Sequence, residues 1–508
     1  MSAQVGRRII RSSVGVTAAT VAASLMSVLS QVVIARYFGV STSLDAYLAA
    51  GALPLTFTGV LTGGVGYVLI PLLAELEARG GNVVETIDDT FLVAAVGALV
   101  IVVAGFFLSG YIVHWSAPRF SPEKLALAAH LQKYFWAATG ATVLTSLAIC
   151  LYHYRKHFAV PSVMTILPPL GMIGLTILMN SRMGIDSLAT GYLVGTVLQC
   201  AILLIFLPER LRFKFAALSA TTKRFLRGLI PLTLSLFPFT FLPVVDAFWS
   251  SRLPEGSLSY LGYSSRIVIG LTSVTIQGLT VVIFPFLSQN VAEGNLAVFR
   301  GRLLAALKMI FALMVFLGCL IWALRIPALT LLFERGRFGP QETLGLARVL
   351  GWYLVGMIGM ACMNLINRGF YSTLRFKAPA IIGIGFLAVY FALSGWLSGH
   401  FSYEGVGMAY AVYWLAFASF ACVKLGRDIG GLLQLHDFGF LGKALLLGVV
   451  TGLIVHVVWL YLRGGLGLWM QLLVSGGVGG AVLPMLAWLI FDDEEKRLFA
   501  KIVAGTVG

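Results

Sequence analysis

Four ionisable residues lie within or beside long apolar runs, where a charge is costly and therefore marks a candidate site. Arg266 lies well inside such a run, about two helical turns from its start. Arg36 ends the first run, Asp45 begins the second, and Asp246 lies near the end of the seventh. An arginine at such a depth suits an anionic group, because its guanidinium donates bidentate hydrogen bonds to phosphate and stays charged when buried.

Each of these residues also has a structural interpretation. Arg266 can be a partner that joins two helices, and Asp246 can lie at the membrane interface. Arg36 and Asp45 can form an interfacial ion pair, with the arginine extended towards the headgroups. Of the four, Arg266 favours a binding role most strongly, as a cation lining a polar cavity that holds an anionic part of a substrate.

The second and eighth apolar runs, near 45–73 and 259–287, are long and share a pattern. Gly64 comes seven residues before Pro71 in the second run. Gly278 and Pro285 repeat that spacing 214 residues later. Such a repeat is typical of transporters built from two related halves. Glycine and proline in long spans allow close packing of helices or allow bending between two states. The candidate coupling or gating residues are Asp246, Gly63, Gly64, Pro71, Gly278 and Pro285.

Composition identifies the elements that position these residues. The 508 residues are 59% hydrophobic and only 11% charged, with a mean hydropathy of +0.92, whereas soluble domains carry about 25% charged residues. The apolar runs predict an all-α, polytopic membrane protein with about fourteen transmembrane helices of roughly 20 residues each. The net charge of +15 indicates orientation signals and contacts with anionic lipids, not nucleic acid.

The runs divide into two six-helix lobes, residues 1–214 and 215–430, followed by two additional helices in 431–508. The distribution of lysine and arginine predicts cytoplasmic N- and C-termini in a multi-pass bacterial inner membrane protein. The loops leave no room for a soluble catalytic domain, and enzyme motifs are lacking, so we predict a transporter and not an enzyme. The five cysteines and seven histidines have no metal-ligand spacing, so we expect neither a metal nor a cofactor.

Several short motifs resemble those of the MurJ/MviN lipid II flippases. The most specific are Phe333-Glu334-Arg335-Gly336-Arg337-Phe338 and Arg368-Gly369-Phe370-Tyr371. The others, in chain order, are Ala35-Arg36-Tyr37-Phe38-Gly39, Asp45-Ala46-Tyr47, Leu53-Pro54 and Tyr263-Ser264-Ser265-Arg266. The resemblance implies transport of an undecaprenyl-pyrophosphate-linked glycan by alternating access. It also implies that Arg266 is a cavity arginine and that Arg36 and Asp45 are first-loop residues, so all three are predicted to bind substrate.

The sequence also departs from the family pattern. Two first-helix positions where the family usually carries cavity arginines hold Ser24 and the pair Ser30-Gln31. Our main hypothesis is a monomeric flippase for lipid II or a related polyprenyl-linked glycan, surrounded by membrane lipids. The alternatives are a flippase for exopolysaccharide or O-antigen units, and a cation-coupled small-molecule exporter of the same MOP superfamily. A membrane scaffold and a polyprenol-dependent glycosyltransferase are the remaining hypotheses.

Overall fold

The chain is helical throughout its described part. The computed structural model describes residues 3–209, 211, 218–373, 375, 377–432 and 435–492. Within its helices, the side chains of residues 3–18, 20, 274, 276–288, 292, 435 and 436 lie outside the description. Across these ranges the chain forms sixteen α-helices and no β-strand. The all-α prediction is therefore confirmed.

The first of two compact units, Met1–Ser259, is organised around one central helix. This helix, α5, packs against α2, α4 and α8. Buried leucines such as Leu73, Leu151 and Leu203 join α3, α5 and α8 in one core. The helices of this unit are α1 (Ala3–Phe38), α2 (Thr42–Thr62), α3 (Val65–Ala78), α4 (Val83–Ser116), α5 (Pro122–Tyr154), α6 (Ala159–Met164), α7 (Leu167–Met183), α8 (Asp186–Ile205), α9 (Ala220–Thr240) and α10 (Leu242–Ser250).

The second unit, Tyr260–Gly508, includes the last two described helices, which pack against α12. Its helices are α11 (Ser257–Ala292, beginning in the first unit), α12 (Leu296–Phe333), α13 (Pro340–Ser372), α14 (Lys377–Asp428), α15 (Leu435–Leu462) and α16 (Leu468–Ile490). The α12–α15 contact includes a buried ion pair, in which Lys308 Nζ lies 2.6 Å from Asp437 Oδ1.

Twelve segments of the described chain are long and apolar enough to cross a membrane. One of them, α14, is two helices joined at Ser402, where φ is +54°. The 36-residue α11 is not among the twelve. Counting α14 twice and adding α11 gives the predicted fourteen spans. The lobe boundaries predicted at 214 and 430 stay a prediction.

The predicted repeat has a matching backbone geometry in its two halves. Gly80 and Gly294 both have φ of +70°, a conformation that glycine adopts without strain. Asn82 and Asn295 follow them and cap α4 and α12, each accepting a hydrogen bond from the amide three residues later. The same turn therefore ends the second and the eighth long spans.

Candidate functional site

Asp45 is the centre of a buried polar cluster in the first unit. Its side chain is 3% exposed and its Oδ2 lies 2.9 Å from Lys124 Nζ. Oδ2 also accepts a hydrogen bond from the Gly256 amide at 2.8 Å. Oδ1 accepts from the amide and the hydroxyl of Ser259, at 2.8 and 2.7 Å. Four donors therefore satisfy both oxygens of the carboxylate.

Local sequence explains why these groups meet. Ser41 caps α2 and places Asp45 in its first turn, and Ser121 with Pro122 begins α5 just before Lys124. Gly256 and Ser259 belong to the start of α11, where amides lack partners within the helix. Asp45 therefore caps α11, the helix that goes on to carry Arg266.

Arg36 does not pair with Asp45, so the interfacial ion pair considered above is wrong. Within the described chain, the ionic partner of Asp45 is Lys124. The Arg36 side chain is exposed, and its guanidinium carbon lies 5.9 Å from the centre of the Tyr37 ring. Lys124 could not be selected from its sequence position, because a lysine in the first turn of a span also suits the interface.

A pair of arginines in the first unit was not predicted from the sequence. Arg252, between α10 and α11, stacks on Phe248 and Trp249 at 4.3 and 4.6 Å. Burial, followed by the nearby charge of Arg119, lowers the pKa of the Arg252 guanidinium. Both arginine side chains are exposed, and in the described part of the chain neither forms an ion pair with a carboxylate.

Arg266 is half-buried in the described part of α11. One turn earlier, Tyr263 is buried with its ring 5.7 Å from those of Phe333 and Phe338. Those phenylalanines are the two ends of the Phe-Glu-Arg-Gly-Arg-Phe motif. Packing thus unites two of the motifs noted in the sequence and fixes the segment of α11 that carries Arg266.

The predicted gating residues occupy different environments. Gly63 and Gly64 form the turn that separates α2 from α3, and a Cβ on Gly64 would lie 2.5 Å from Leu232 of α9. Pro71 lies within α3 and is exposed, whereas Asp246 is buried in α10 and engaged by the surrounding protein. Gly278 and Pro285 fall in α11, but their side chains lie outside the described residues. The roles predicted for these residues stay predictions.

A cavity of about 530 Å³ with both polar and apolar walls lies in the first unit, among the α2–α3 turn, α3, α5 and α8. Its polar walls come from Thr and Ser hydroxyls, the Gln199 amide, the Tyr67 phenol and the His153 imidazole. The lining residues are Thr62, Gly63, Gly66, Tyr67, Ile70, Thr142, Thr145, Ser146, Ile149, Cys150, His153 and Gln199. Sequence reasoning missed this cavity, because hydroxyls in apolar helices are common and no charge marks it.

Of the first-helix positions noted above, Ser30 and Gln31 are buried and neutral. Ser30 donates its hydroxyl proton to Ser27 O at 2.7 Å, and Gln31 Nε2 donates to Ser30 Oγ at 3.3 Å. These contacts remain within α1. Among the described residues, no cluster of His, Cys, Asp and Glu is arranged to hold a metal.

Comparison with known proteins gives one consistent family. The family model described as "Lipid II flippase MurJ" matches residues 34–483. A probable lipid II flippase MurJ of Buchnera aphidicola subsp. Baizongia pistaciae is 26% identical over 427 residues, which are 80% of this chain and 82% of that protein.

Two solved structures share the fold. A lipid II flippase MurJ in an inward closed conformation has a TM-score of 0.77 at 20% identity, with 93% of this chain and 98% of that chain covered. An inward-facing multidrug resistance MATE family transporter of the MOP superfamily has a TM-score of 0.68 at 14% identity, with coverage of 82% and 98%. These similarities confirm the fold class.

Proposed function

Because the chain belongs to the lipid II flippase MurJ family, we propose that it moves a lipid-linked oligosaccharide across the bacterial inner membrane by alternating access. The substrate is lipid II or a related undecaprenyl-pyrophosphate-linked glycan, used to build peptidoglycan or a surface polysaccharide. The observation that carries this proposal is the family match from the end of α1 into α16. It covers nearly all of the membrane-spanning helices.

The candidate residues divide into binding and positioning roles. Arg266 binds the phosphate side of the substrate, because its half-buried guanidinium can donate two parallel hydrogen bonds to phosphate oxygens. Arg36 attracts the same anion from an exposed position at the end of α1. The four donors around Asp45 support a positioning role at the start of α11 more strongly than direct contact with substrate.

Bending at Gly63–Gly64 provides the conformational change. The turn interrupts the hydrogen-bonded ladder between α2 and α3, and an interrupted ladder is where helices bend. Asp246, Pro71, Gly278 and Pro285 complete the proposed coupling and gating set. The protein works as a monomer with both termini in the cytoplasm.

The test is transport of fluorescent lipid II by the purified full chain in liposomes, with Arg266→Ala, Arg266→Lys and Arg182→Ala. Arg182 is an exposed arginine at the end of α7 and serves as the matched control. We expect Arg266→Ala to lower the initial rate more than tenfold, Arg266→Lys to lower it less, and Arg182→Ala to transport normally. Unchanged transport by Arg266→Ala would exclude that residue from the site.

The neutral pair Ser30–Gln31 favours a second candidate substrate, a lipid-linked unit for a surface polysaccharide. These residues are neutral at positions where the family pattern has arginines. The phosphates of the substrate would therefore not be bound by arginines at these positions in this chain. The same liposome assay distinguishes the candidates when lipid II is compared with polyprenyl-linked units of other glycans. Rescue of cells depleted of their own lipid II flippase would support lipid II as the physiological substrate.

A further inference from the structure

The cavity in the first unit is lined by hydrogen-bond acceptors. Thr62 donates its hydroxyl proton to Thr58 O at 2.8 Å, and Thr142 donates to Ala138 O at 2.8 Å. Ser146 does the same to Val143 O at 2.7 Å. A hydroxyl has one proton and two lone pairs. Because the helix backbone uses these protons, the lone pairs remain for a ligand that donates hydrogen bonds.

The cavity carries no formal charge of its own. Among its described lining residues there is no Asp, Glu, Lys or Arg. An ionised ligand would lose its hydration without gaining a counter-charge, which is strongly unfavourable. The walls therefore disfavour a pyrophosphate and favour a neutral group.

The remaining lining adds a planar amide and apolar surface. Gln199 is 7% exposed, and its amide provides both donors and an acceptor. Ile70 and Ile149 present apolar carbons, and Gly66 leaves open space beside them. A volume of about 530 Å³ is within the range of small-molecule sites. Hydroxyl donors, an amide-sized polar group and apolar C–H faces are together the features of a sugar ring.

We propose that this cavity binds a neutral saccharide, the glycan part of the transported molecule. This inference rests on the proposed function and deepens it. Hydroxyls of the sugar donate to Thr62, Thr142 and Ser146, and Gln199 pairs with a hydroxyl or acetamido group. Recognition of the glycan is therefore separate in chemistry from the binding of phosphate by arginine.

The test measures binding of a neutral sugar to the full chain in lipid nanodiscs, by saturation-transfer NMR with N,N′-diacetylchitobiose. Gly66→Leu fills the cavity without a backbone clash, since a Cβ at Gly66 meets only Ile70 Cδ1, at 3.8 Å. Gly110→Leu is the matched control, because a Cβ there meets nothing within 4 Å and Gly110 lies on α4, away from the cavity. Gln199→Met removes the amide at similar size, and Thr196→Val on the same helix controls for loss of a hydroxyl.

We expect Gly66→Leu and Gln199→Met to weaken sugar binding at least tenfold. Gly110→Leu and Thr196→Val should stay within twofold of the wild type, and inorganic pyrophosphate should not compete. The proposal is overturned if the wild type does not bind the sugar, if pyrophosphate displaces it, or if Gly66→Leu binds equally well. Sugar binding without any transport of lipid-linked glycans would refute the proposed function alone. Normal transport by Gly66→Leu would refute the cavity proposal alone.

Discussion

Removing the Asp45 carboxylate should destabilise the first unit more than removing its lysine partner. At 2.9 Å and an effective dielectric constant of about 20, the attraction between Asp45 and Lys124 is about 6 kcal/mol. Dehydration of two nearly buried charges offsets most of that gain. The net contribution of the ion pair to the free energy of unfolding is therefore small, but leaving either charge buried without its partner destabilises the protein.

The surrounding hydrogen bonds make the two deletions unequal. Asp45→Ala leaves Lys124 buried without a counter-charge and leaves the amides of Gly256 and Ser259 without their acceptor. A broken buried pair costs about 3–5 kcal/mol. Lys124→Met leaves Asp45 with three donors, so we expect a loss of only about 1–3 kcal/mol. The double variant Asp45→Ala/Lys124→Met should lose less stability than the two single variants together, because no buried charge remains unpaired.

The free energy of unfolding can be measured by steric trapping in lipid bicelles. The exposed control Arg182→Ala should remain within about 0.5 kcal/mol of the wild type. The reasoning fails if Asp45→Ala costs less than about 1 kcal/mol, as for a solvent-exposed pair. It also fails if Lys124→Met is as damaging as Asp45→Ala, since the carboxylate would then not be the anchor.

Three further predictions use the same unfolding assay. Gly64→Ala should lower the free energy of unfolding by about 1–3 kcal/mol, because the added methyl group overpacks against Leu232. Adding Leu232→Ala should restore part of that loss, and no restoration would refute the close approach. Gly80→Ala should lower the free energy of unfolding by about 1–2 kcal/mol. The loss comes from the positive φ alone, since a Cβ there meets nothing within 4 Å, and an unchanged stability would contradict that conformation. Asp437→Ala should cost about 3–5 kcal/mol by leaving Lys308 unpaired between α12 and α15, whereas a loss below 1 kcal/mol would show that the pair is not buried in the membrane protein.

The fold could be predicted from the sequence because the bilayer permits few kinds of backbone structure. Long apolar runs must pair their backbone groups internally, so they become helices. The repeat seen at Gly64–Pro71 and Gly278–Pro285 extends to Gly80 and Gly294, which meet a backbone requirement that few residues can meet. The break within α14 could also be predicted, because separate apolar runs near 379–399 and 404–423 lie on either side of Ser402.

The candidate site was less predictable because it depends on contacts between distant segments. Asp45 was selected for its charge, but its partners at Lys124 and Ser259 come from the starts of two other helices. The cavity is lined by neutral residues. Their hydroxyl groups act as acceptors only because their protons bond to helix carbonyls, and those hydrogen bonds are visible only in the structure. Threonine in an apolar helix looks the same in sequence whether it faces a cavity or another helix.

The distribution of charge indicates which part of the substrate this chain distinguishes. A hydrogen bond to a charged group contributes about 1.5–3 kcal/mol, and a neutral one about 0.5–1.5 kcal/mol. Neutral Ser30 and Gln31 in place of cavity arginines therefore remove several kcal/mol of phosphate binding on the proposed function. Three hydroxyls and the Gln199 amide can supply a comparable sum in contacts with a sugar. Because every polyprenyl-pyrophosphate carrier shares the same phosphates, a shift of binding energy from phosphate to glycan also raises selectivity among glycans. We therefore expect the affinity of this chain for a lipid-linked glycan to depend strongly on the identity of the sugar.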